Sequence, residues 1–218
     1  MSSPVWGIVV AAGVGRRFGG TKQFEWLGGR QVLDWAVASA RSVADGVVLV
    51  VPAGSELDAG LLGVTDRVVA GGDTRAASVR AGLRVVPQDA DIVVVHDAAR
   101  PLASSDLFRA VVDAVTRGAE GAIPGVPVTD TLKRVDGTVV CDTIDRSDLV
   151  WVQTPQAFRA STLRRGHLGD PDATDDAAVV EALGGLVVVV PGEEGNIKIT
   201  TPADLAILEW RLRSTGAR

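Results

Sequence analysis

Short apolar runs recur along the chain, at 5–11, 47–51, 67–70, 92–96, 121–126 and 186–190, and they are apolar at nearly every position instead of alternate ones. A strand of that kind has both faces out of water, as in a largely parallel sheet covered by helices above and below. Between the runs, apolar residues fall at helical spacing. In 32–43 they occupy positions 32, 33, 36, 37, 40 and 43, one stripe of a 3.6-residue period. Segments 75–86, 105–116, 174–183 and 202–212 read similarly, with Ser104 or Ser105 placed to cap the third stripe and Pro202 just inside the start of the last. This alternation predicts an α/β fold, a doubly wound sheet with right-handed crossovers.

One segment breaks the rhythm. Residues 127–152 read PVTDTLKRVDGTVVCDTIDRSDLVWV, in which apolar and polar residues roughly alternate around an Asp136-Gly137 turn signal. A β-hairpin is out of place inside a doubly wound core, so the segment is expected to project as an arm. An exposed arm carrying Val and Ile finds a partner, most simply a second copy of the chain, giving a homodimer. A hairpin folded back on its own domain is the plainer alternative. There is no repeat or linker, so residues 1–218 read as one domain with an arm.

Composition closes off several classes. With 22 basic and 27 acidic residues the net charge is −5, which disfavours a nucleic-acid partner and requires any anion site to be local. Cys141 is the only cysteine, which excludes an intrachain disulfide and a cysteine-built zinc site, and His96 and His167 are too few for a histidine-rich metal site. No signal peptide and no apolar run of membrane-spanning length, roughly 18 residues, is present, so no membrane partner and a cytoplasmic location are expected.

The strongest chemical signal follows the first run, in VVAAGVGRRFGGTKQF at 9–24. Ligands of open α/β sheets bind beyond the C-terminal strand ends, and glycines let backbone N–H groups approach an anion closely. Gly13, Gly15, Gly19 and Gly20 with Arg16, Arg17 and Lys22 read as a polyphosphate cradle, against the alternative of a tight turn with solvated cations. The Walker pattern fails because Thr21 separates Gly20 from Lys22, and the dinucleotide pattern fails because Phe18 stands where its third glycine belongs. No carboxylate ends the second run to hold a ribose, which disfavours hydride transfer. A nucleoside triphosphate serving as nucleotidyl donor remains.

Eight segments in order, AAGVGRRFGGTKQF, GGDTRAASV, HDAARP, PVTDTLKR, TIDR, QTPQAF, TDDA and NIKIT, resemble those of 2-C-methyl-D-erythritol 4-phosphate cytidylyltransferases, over about residues 5–208. The resemblance implies a Rossmann-like nucleotidyltransferase fold and a homodimer joined by its arms. It implies CTP as co-substrate, Mg²⁺, and transfer of the cytidylyl group to methylerythritol phosphate with release of pyrophosphate. Arg17 and Lys22 match the family's transition-state stabilisers, with Arg16 a supporting cation. Ala11, Ala12, Gly13 and Gly15 are implied to line the nucleotide, and Gly72, Asp73 and Ser78 to read the cytosine edge. Asp97, a carboxylate at the C-terminal end of a strand, can hold ribose hydroxyls or Mg²⁺, with Ala98 beside the ribose, and the resemblance also implies it near the acceptor alcohol. Arg100, Thr131, Arg146, Thr154, Thr174 and Lys198 are implied at the acceptor, where Arg146 and Lys198 position its phosphate and the arm residues serve the partner's site.

Several of these residues have plainer readings. Asp73 is placed to cap a helix, Asp175 to supply a helix-start charge, Lys133 and Arg134 to be solvated, and Lys198 to be an outward lysine on an edge strand. His96, inside an apolar run, reads as a hydrogen-bonded structural residue. The chain departs from the family pattern in a short Arg17–Lys22 loop and in Val10 and Thr21 at positions where proline is common, which predicts a more open CTP site. Rival readings are a cytidylyltransferase for another polyol phosphate, such as ribitol 5-phosphate, and a non-catalytic nucleotide-binding protein. Ala98-Ala99 and PVTDTLKR favour methylerythritol, and retention of Arg17, Lys22, Asp97 and Lys198 favours catalysis.

Overall fold

Every apolar run singled out in the sequence is a strand of one eight-stranded sheet in the structure, a computed structural model that describes residues 3–169, 173 and 175–215. The chain runs β1 (Val5–Val10), the two-residue strands β2 (Trp26–Leu27) and β3 (Arg30–Gln31), α1 (Val32–Arg41), β4 (Gly46–Val51), α2 (Ala59–Val64), β5 (Arg67–Ala70), α3 (Arg75–Leu83), β6 (Ile92–Asp97) and α4 (Ser105–Thr116). It continues through β7 (Gly121–Pro127), β8 (Leu132–Asp136), β9 (Val139–Ile144), β10 (Val150–Val152), β11 (Gln156–Arg159), α5 (Ala160–Gly166), α6 (Asp176–Glu181), β12 (Val187–Pro191) and α7 (Pro202–Thr215).

The sheet order is β10-β7-β11-β6-β1-β4-β5, with β12 on β7. Strands β6, β1, β4 and β5 are parallel neighbours, and β4 and β6 are buried along their whole length. One apolar cluster (Leu33, Val37, Phe108, Val111 and neighbours) lies under α1 and α4, and a second (Val79, Leu83, Phe158, Leu163, Val180) under α3, α5 and α6. Core on both faces is why β1, β4 and β6 read as continuous apolar runs, whereas β5, at the sheet edge, is mostly exposed.

Helix starts follow side-chain capping. Thr74 Oγ1 accepts from Ala77 N at 3.0 Å, Ser104 Oγ from Leu107 N at 3.0 Å and Asp175 Oδ1 from Ala178 N at 3.0 Å. Thr74, not Asp73, is therefore the α3 cap, because its shorter side chain sits at the residue where the backbone turns from extended to helical. Pro202 occupies the first turn of α7, and Asp204 Oδ2 accepts from Thr200 N and Thr201 N at 2.8 and 2.7 Å.

The sheet is mixed, which the strand pattern did not anticipate. β10 and β11 both run antiparallel to β7, and β11 is also antiparallel to β6, with Gln156 opposite Val95 and Ala157 opposite Ala122. The excursion after β7 reverses the chain, so the returning segment refills the slot between β6 and β7 in the opposite sense. The hairpin itself is narrower than 127–152. β8 and β9 pair only with each other, with Asp136 opposite Val139 around Gly137 (φ +56°), while Val150–Val152 belongs to the main sheet. Val135, Val139 and Val140 on this hairpin are 56–65% exposed.

Candidate active site

β1 and β6 are parallel neighbours with Val10 opposite Asp97, so the loops that follow them leave the sheet at one end, beside the loop after β5. Ile199 N donates to Ala99 O at 2.7 Å, which draws the segment before α7 to the same end. A cavity of about 690 Å³ lies among these four segments, within the size range of small-molecule sites.

Residues 11–22 wrap one wall of the cavity. Gly15 has φ +62°, its carbonyl accepts from Phe18 N and Gly19 N at 2.8 and 2.9 Å, and a Cβ there would lie 1.9 Å from Gly20 O. Only glycine closes this turn. Lys22 then starts a short 3₁₀ turn, Lys22–Phe24, and donates from Nζ to Ile199 O at 2.5 Å. Opposite, the Gly71-Gly72 turn lies against Ala12: a Cβ on Gly71 would be 2.2 Å from the Ala12 Cβ. Ser78, buried, donates to Thr74 O at 3.0 Å and accepts from Gly72 N at 3.2 Å, fixing the turn from below.

The floor of the cavity carries the charge. Asp97 Oδ2 accepts from Lys198 Nζ at 2.6 Å and Oδ1 from Arg75 Nε at 3.0 Å, and the carboxylate is 11% exposed. Burial works to raise the Asp97 pKa, but the guanidinium of Arg75 and the ammonium of Lys198 outweigh it and hold the carboxyl far below the usual range. Lys22 is shifted the other way for a cation: burial, then repulsion from Lys198, lowers its pKa, with Asp97 only partly compensating and Arg17 adding to the repulsion. Burial and the neighbouring cations together leave the Lys22 ammonium incompletely compensated by Asp97, a state that further negative charge in the cavity would relieve.

Beneath Asp97 a buried chain of hydrogen bonds fixes its backbone. Asp97 N donates to Thr154 Oγ1 at 3.1 Å, Thr154 Oγ1 lies 3.2 Å from His96 Nδ1, and His96 Nε2 lies 3.1 Å from Arg100 O. A carbonyl only accepts, so Nε2 carries the proton and Nδ1 accepts from the threonine hydroxyl. His96 is thus held neutral, with its pKa pushed down to about 4 by burial. It is the structural residue expected of it.

Of the predicted residues, Ala11, Ala12, Gly13, Lys22, Gly72, Asp73, Ser78, Asp97, Ala98 and Lys198 line the cavity, and so do Arg16, Thr74 and Arg75. Gly15 shapes the loop from behind, and the exposed Arg17 lies outside the lining although its charge reaches Lys22. Lys198 is on an irregular segment instead of an edge strand, and points at Asp97 because Ile199 is fully buried beside it. Thr154 is 6% exposed with its hydroxyl engaged, so it acts on Asp97 from below instead of presenting that hydroxyl to the cavity. Arg100 donates to Asn196 O and Val152 O at 2.6 and 3.3 Å, tying the 193–200 segment to β10. Thr131 and Arg146 are exposed at the base of the hairpin, one before β8 and one after β9, and neither lines this cavity. Thr174 lies outside the described residues.

Arg75 escaped sequence reading, together with its second partner Asp176, whose Oδ2 accepts from Arg75 Nη1 at 2.7 Å. A signal was present: Arg75 stands in the first turn of α3, where a cation opposes the helix dipole and is favoured only with a nearby anion to offset it.

The sequence profile of the family described as 2-C-methyl-D-erythritol 4-phosphate cytidylyltransferase (IspD) matches residues 5–214. The 2-C-methyl-D-erythritol 4-phosphate cytidylyltransferase of Streptomyces coelicolor is 45% identical over 222 residues, covering 93% of this chain and 82% of that protein. The bifunctional enzyme IspD/IspF of Solidesulfovibrio magneticus is 41% identical across 94% of this chain, which spans only 56% of that relative's length. The crystal structure of the cytidylyltransferase from Thermus thermophilus superposes with a TM-score of 0.82 at 36% identity, covering 94% of this chain and 98% of the other.

Proposed function

Because the chain belongs to the 2-C-methyl-D-erythritol 4-phosphate cytidylyltransferase family, whose Rossmann-like nucleotidyltransferase fold it shares, we propose that it transfers the cytidylyl group of CTP to 2-C-methyl-D-erythritol 4-phosphate in isoprenoid precursor synthesis. One observation carries the proposal: Lys22 and Lys198 converge on a glycine-lined cavity whose one deep carboxylate is Asp97.

In the reaction an acceptor phosphate oxygen forms a bond to the α-phosphorus of CTP while the bond from that phosphorus to the bridging oxygen breaks, and pyrophosphate leaves with the electron pair. Two anions meet and charge builds on the α-phosphate and the leaving group, so catalysis consists of positioning and cationic stabilisation. The N–H groups of the 11–15 turn and Lys22 receive the phosphates, and Arg17 closes over them from its exposed position. The Gly72–Asp73 turn, braced by Ser78, meets the cytosine edge, and Ala98 leaves room for the ribose. Lys198, 40% exposed and held at a single point, is the cation free to reach a phosphate of either substrate.

Among the described residues no three His, Cys, Asp or Glu side chains converge as a metal cage. Mg²⁺ characteristically keeps its waters and takes one or two carboxylates plus substrate phosphates. Asp97 fits that pattern, because its two present hydrogen bonds leave acceptor capacity on both oxygens. When bound, the ion would neutralise triphosphate charge and draw electron density from the α-phosphorus.

The acceptor side is proposed to be completed across a homodimer. Thr131 and Arg146 stand away from their own cavity, on a hairpin whose Val135, Val139 and Val140 are exposed and whose neighbour Trp151 is 56% exposed. The decisive assay is pyrophosphate release with CTP, comparing methylerythritol phosphate with ribitol 5-phosphate; preference for ribitol phosphate would replace the proposed acceptor. Mixing Lys22→Ala and Arg146→Ala chains is expected to restore activity, because one site in each heterodimer is intact. No recovery despite confirmed heterodimers would show the sites to be self-contained.

A further inference from the structure

We infer that Arg75 is a positioning residue, held from behind by α6, that keeps the Asp97 carboxylate aimed at the nucleotide when Lys198 turns to a phosphate. The inference rests on the reading of the cavity as a CTP site. Arg75 bridges two carboxylates with one guanidinium: Nε donates to Asp97 Oδ1 at 3.0 Å and Nη1 to Asp176 Oδ2 at 2.7 Å. Asp176, 1% exposed, opens α6, where the helix dipole favours a negative charge. Its other oxygen lies 2.9 Å from Nε2 of the buried His167, which donates to it because a carboxylate oxygen only accepts.

The two cations on Asp97 differ in what holds them. Lys198 has a side chain 40% exposed on an irregular segment and, among the described residues, Asp97 as the partner of its ammonium. Arg75 is 26% exposed and anchored at its far end to a buried carboxylate on another helix. A bound triphosphate draws Lys198 away, and the Arg75 fork alone then keeps Asp97 charged and oriented. A lysine at position 75 would keep the charge but cannot grip two carboxylates through a rigid fork. Asp176 and His167 act one step further back, through Arg75.

The test is a double-mutant cycle read by calorimetric binding of CTP with Mg²⁺, alongside kinetics of pyrophosphate release. Arg75→Lys is expected to weaken CTP binding and raise the KM for CTP about tenfold, the low end for a lost supporting hydrogen bond behind a ligand-holding group, with a smaller change in the KM for methylerythritol phosphate. In an Asp97→Asn background the same substitution is expected to cost less than about twofold, because the residue it positions is no longer a carboxylate. An equal cost in both backgrounds, or a loss confined to kcat with CTP binding untouched, overturns the inference. Should Arg75→Lys fail to fold, Asp176→Asn, which releases the far end of the guanidinium, is put through the same cycle with the same criteria. The binding arm stands even if the wild-type protein releases no pyrophosphate with methylerythritol phosphate, so a wrong acceptor and a wrong role for Arg75 are told apart.

Discussion

Replacing Lys22 by Ala removes a cation that the fold holds at a cost. The ammonium donates to Ile199 O at 2.5 Å, and losing a charged hydrogen bond of this kind costs about 1.5–3 kcal/mol of stability. Acting against that loss, burial and the nearby Lys198 and Arg17 all disfavour the charged form, and the substitution relieves them. A net stability change of about 1 kcal/mol or less is expected, which for a chain of this size shifts Tm by about 2–4 °C. Turnover has no such compensation. Deleting one preorganised donor to a transition-state oxyanion costs about 2.7–4 kcal/mol, or 10²–10³ in kcat. Continuous pyrophosphate-release kinetics at saturating CTP, with a thermal melt on the same sample, measures both. A kcat within about threefold of wild type would remove the loop from the chemistry. A fall in Tm of more than about 10 °C would mean that the lost activity reports unfolding instead. The lowered Lys22 pKa adds a sign: activity is full while the ammonium is charged and falls as pH rises through a value below 10.5, and Lys22→Arg should move that alkaline limb upward.

Two further outcomes follow from the geometry. His96, neutral in the fold with a pKa of about 4 against 6.5 unfolded, contributes stability that is complete above pH 6.5 and is lost as pH falls towards 4, about 3 kcal/mol in all. Urea unfolding at pH 7 and 4.5 should show His96→Gln less stable at neutral pH yet flatter with acid; parallel curves for both proteins would refute the buried neutral assignment. Gly15→Ala, at φ +62° with no room beside Gly20 O, should leave the melt within a few degrees while weakening CTP binding at least tenfold by calorimetry, and unchanged binding would show that the turn does not shape the site.

How much the sequence carried depends on whether a residue's role is local. β1, β4, β6 and β7 were legible because burial on both faces demands apolar residues at consecutive positions, whereas β5 and β12, largely exposed at the sheet margins, were legible from their β-branched valines. The Gly15 turn and the placement of Lys22 at the cavity were legible because a positive φ demands glycine and because a cation among glycines stands out within one short loop. Of the two serines expected to cap α4, Ser104 does so; Asp175, expected as a helix-start charge, is the α6 cap, and Thr74 took the place of Asp73 by one residue. β11 was not visible: QAFR is short, has no β-branched residue and follows Pro155, and it is a strand only because β6 and β7 leave it a slot.

The deeper polar structure belongs to the tertiary fold. Asp97, Arg75, Asp176 and His167 are separated by up to 101 positions, and nothing in any one segment specifies that they share a line of hydrogen bonds. Thr154 was legible as a polar residue near the site, but packing decided that its hydroxyl would face His96 and the Asp97 backbone. The sequence by itself determined the apolar strands, the five periodic helices and a glycine-rich cationic loop after β1, because those choices follow from periodicity and backbone sterics within a few residues. Only the tertiary structure decided which charges are paired, because the free energy of a buried ion is set by partners that folding brings from elsewhere in the chain.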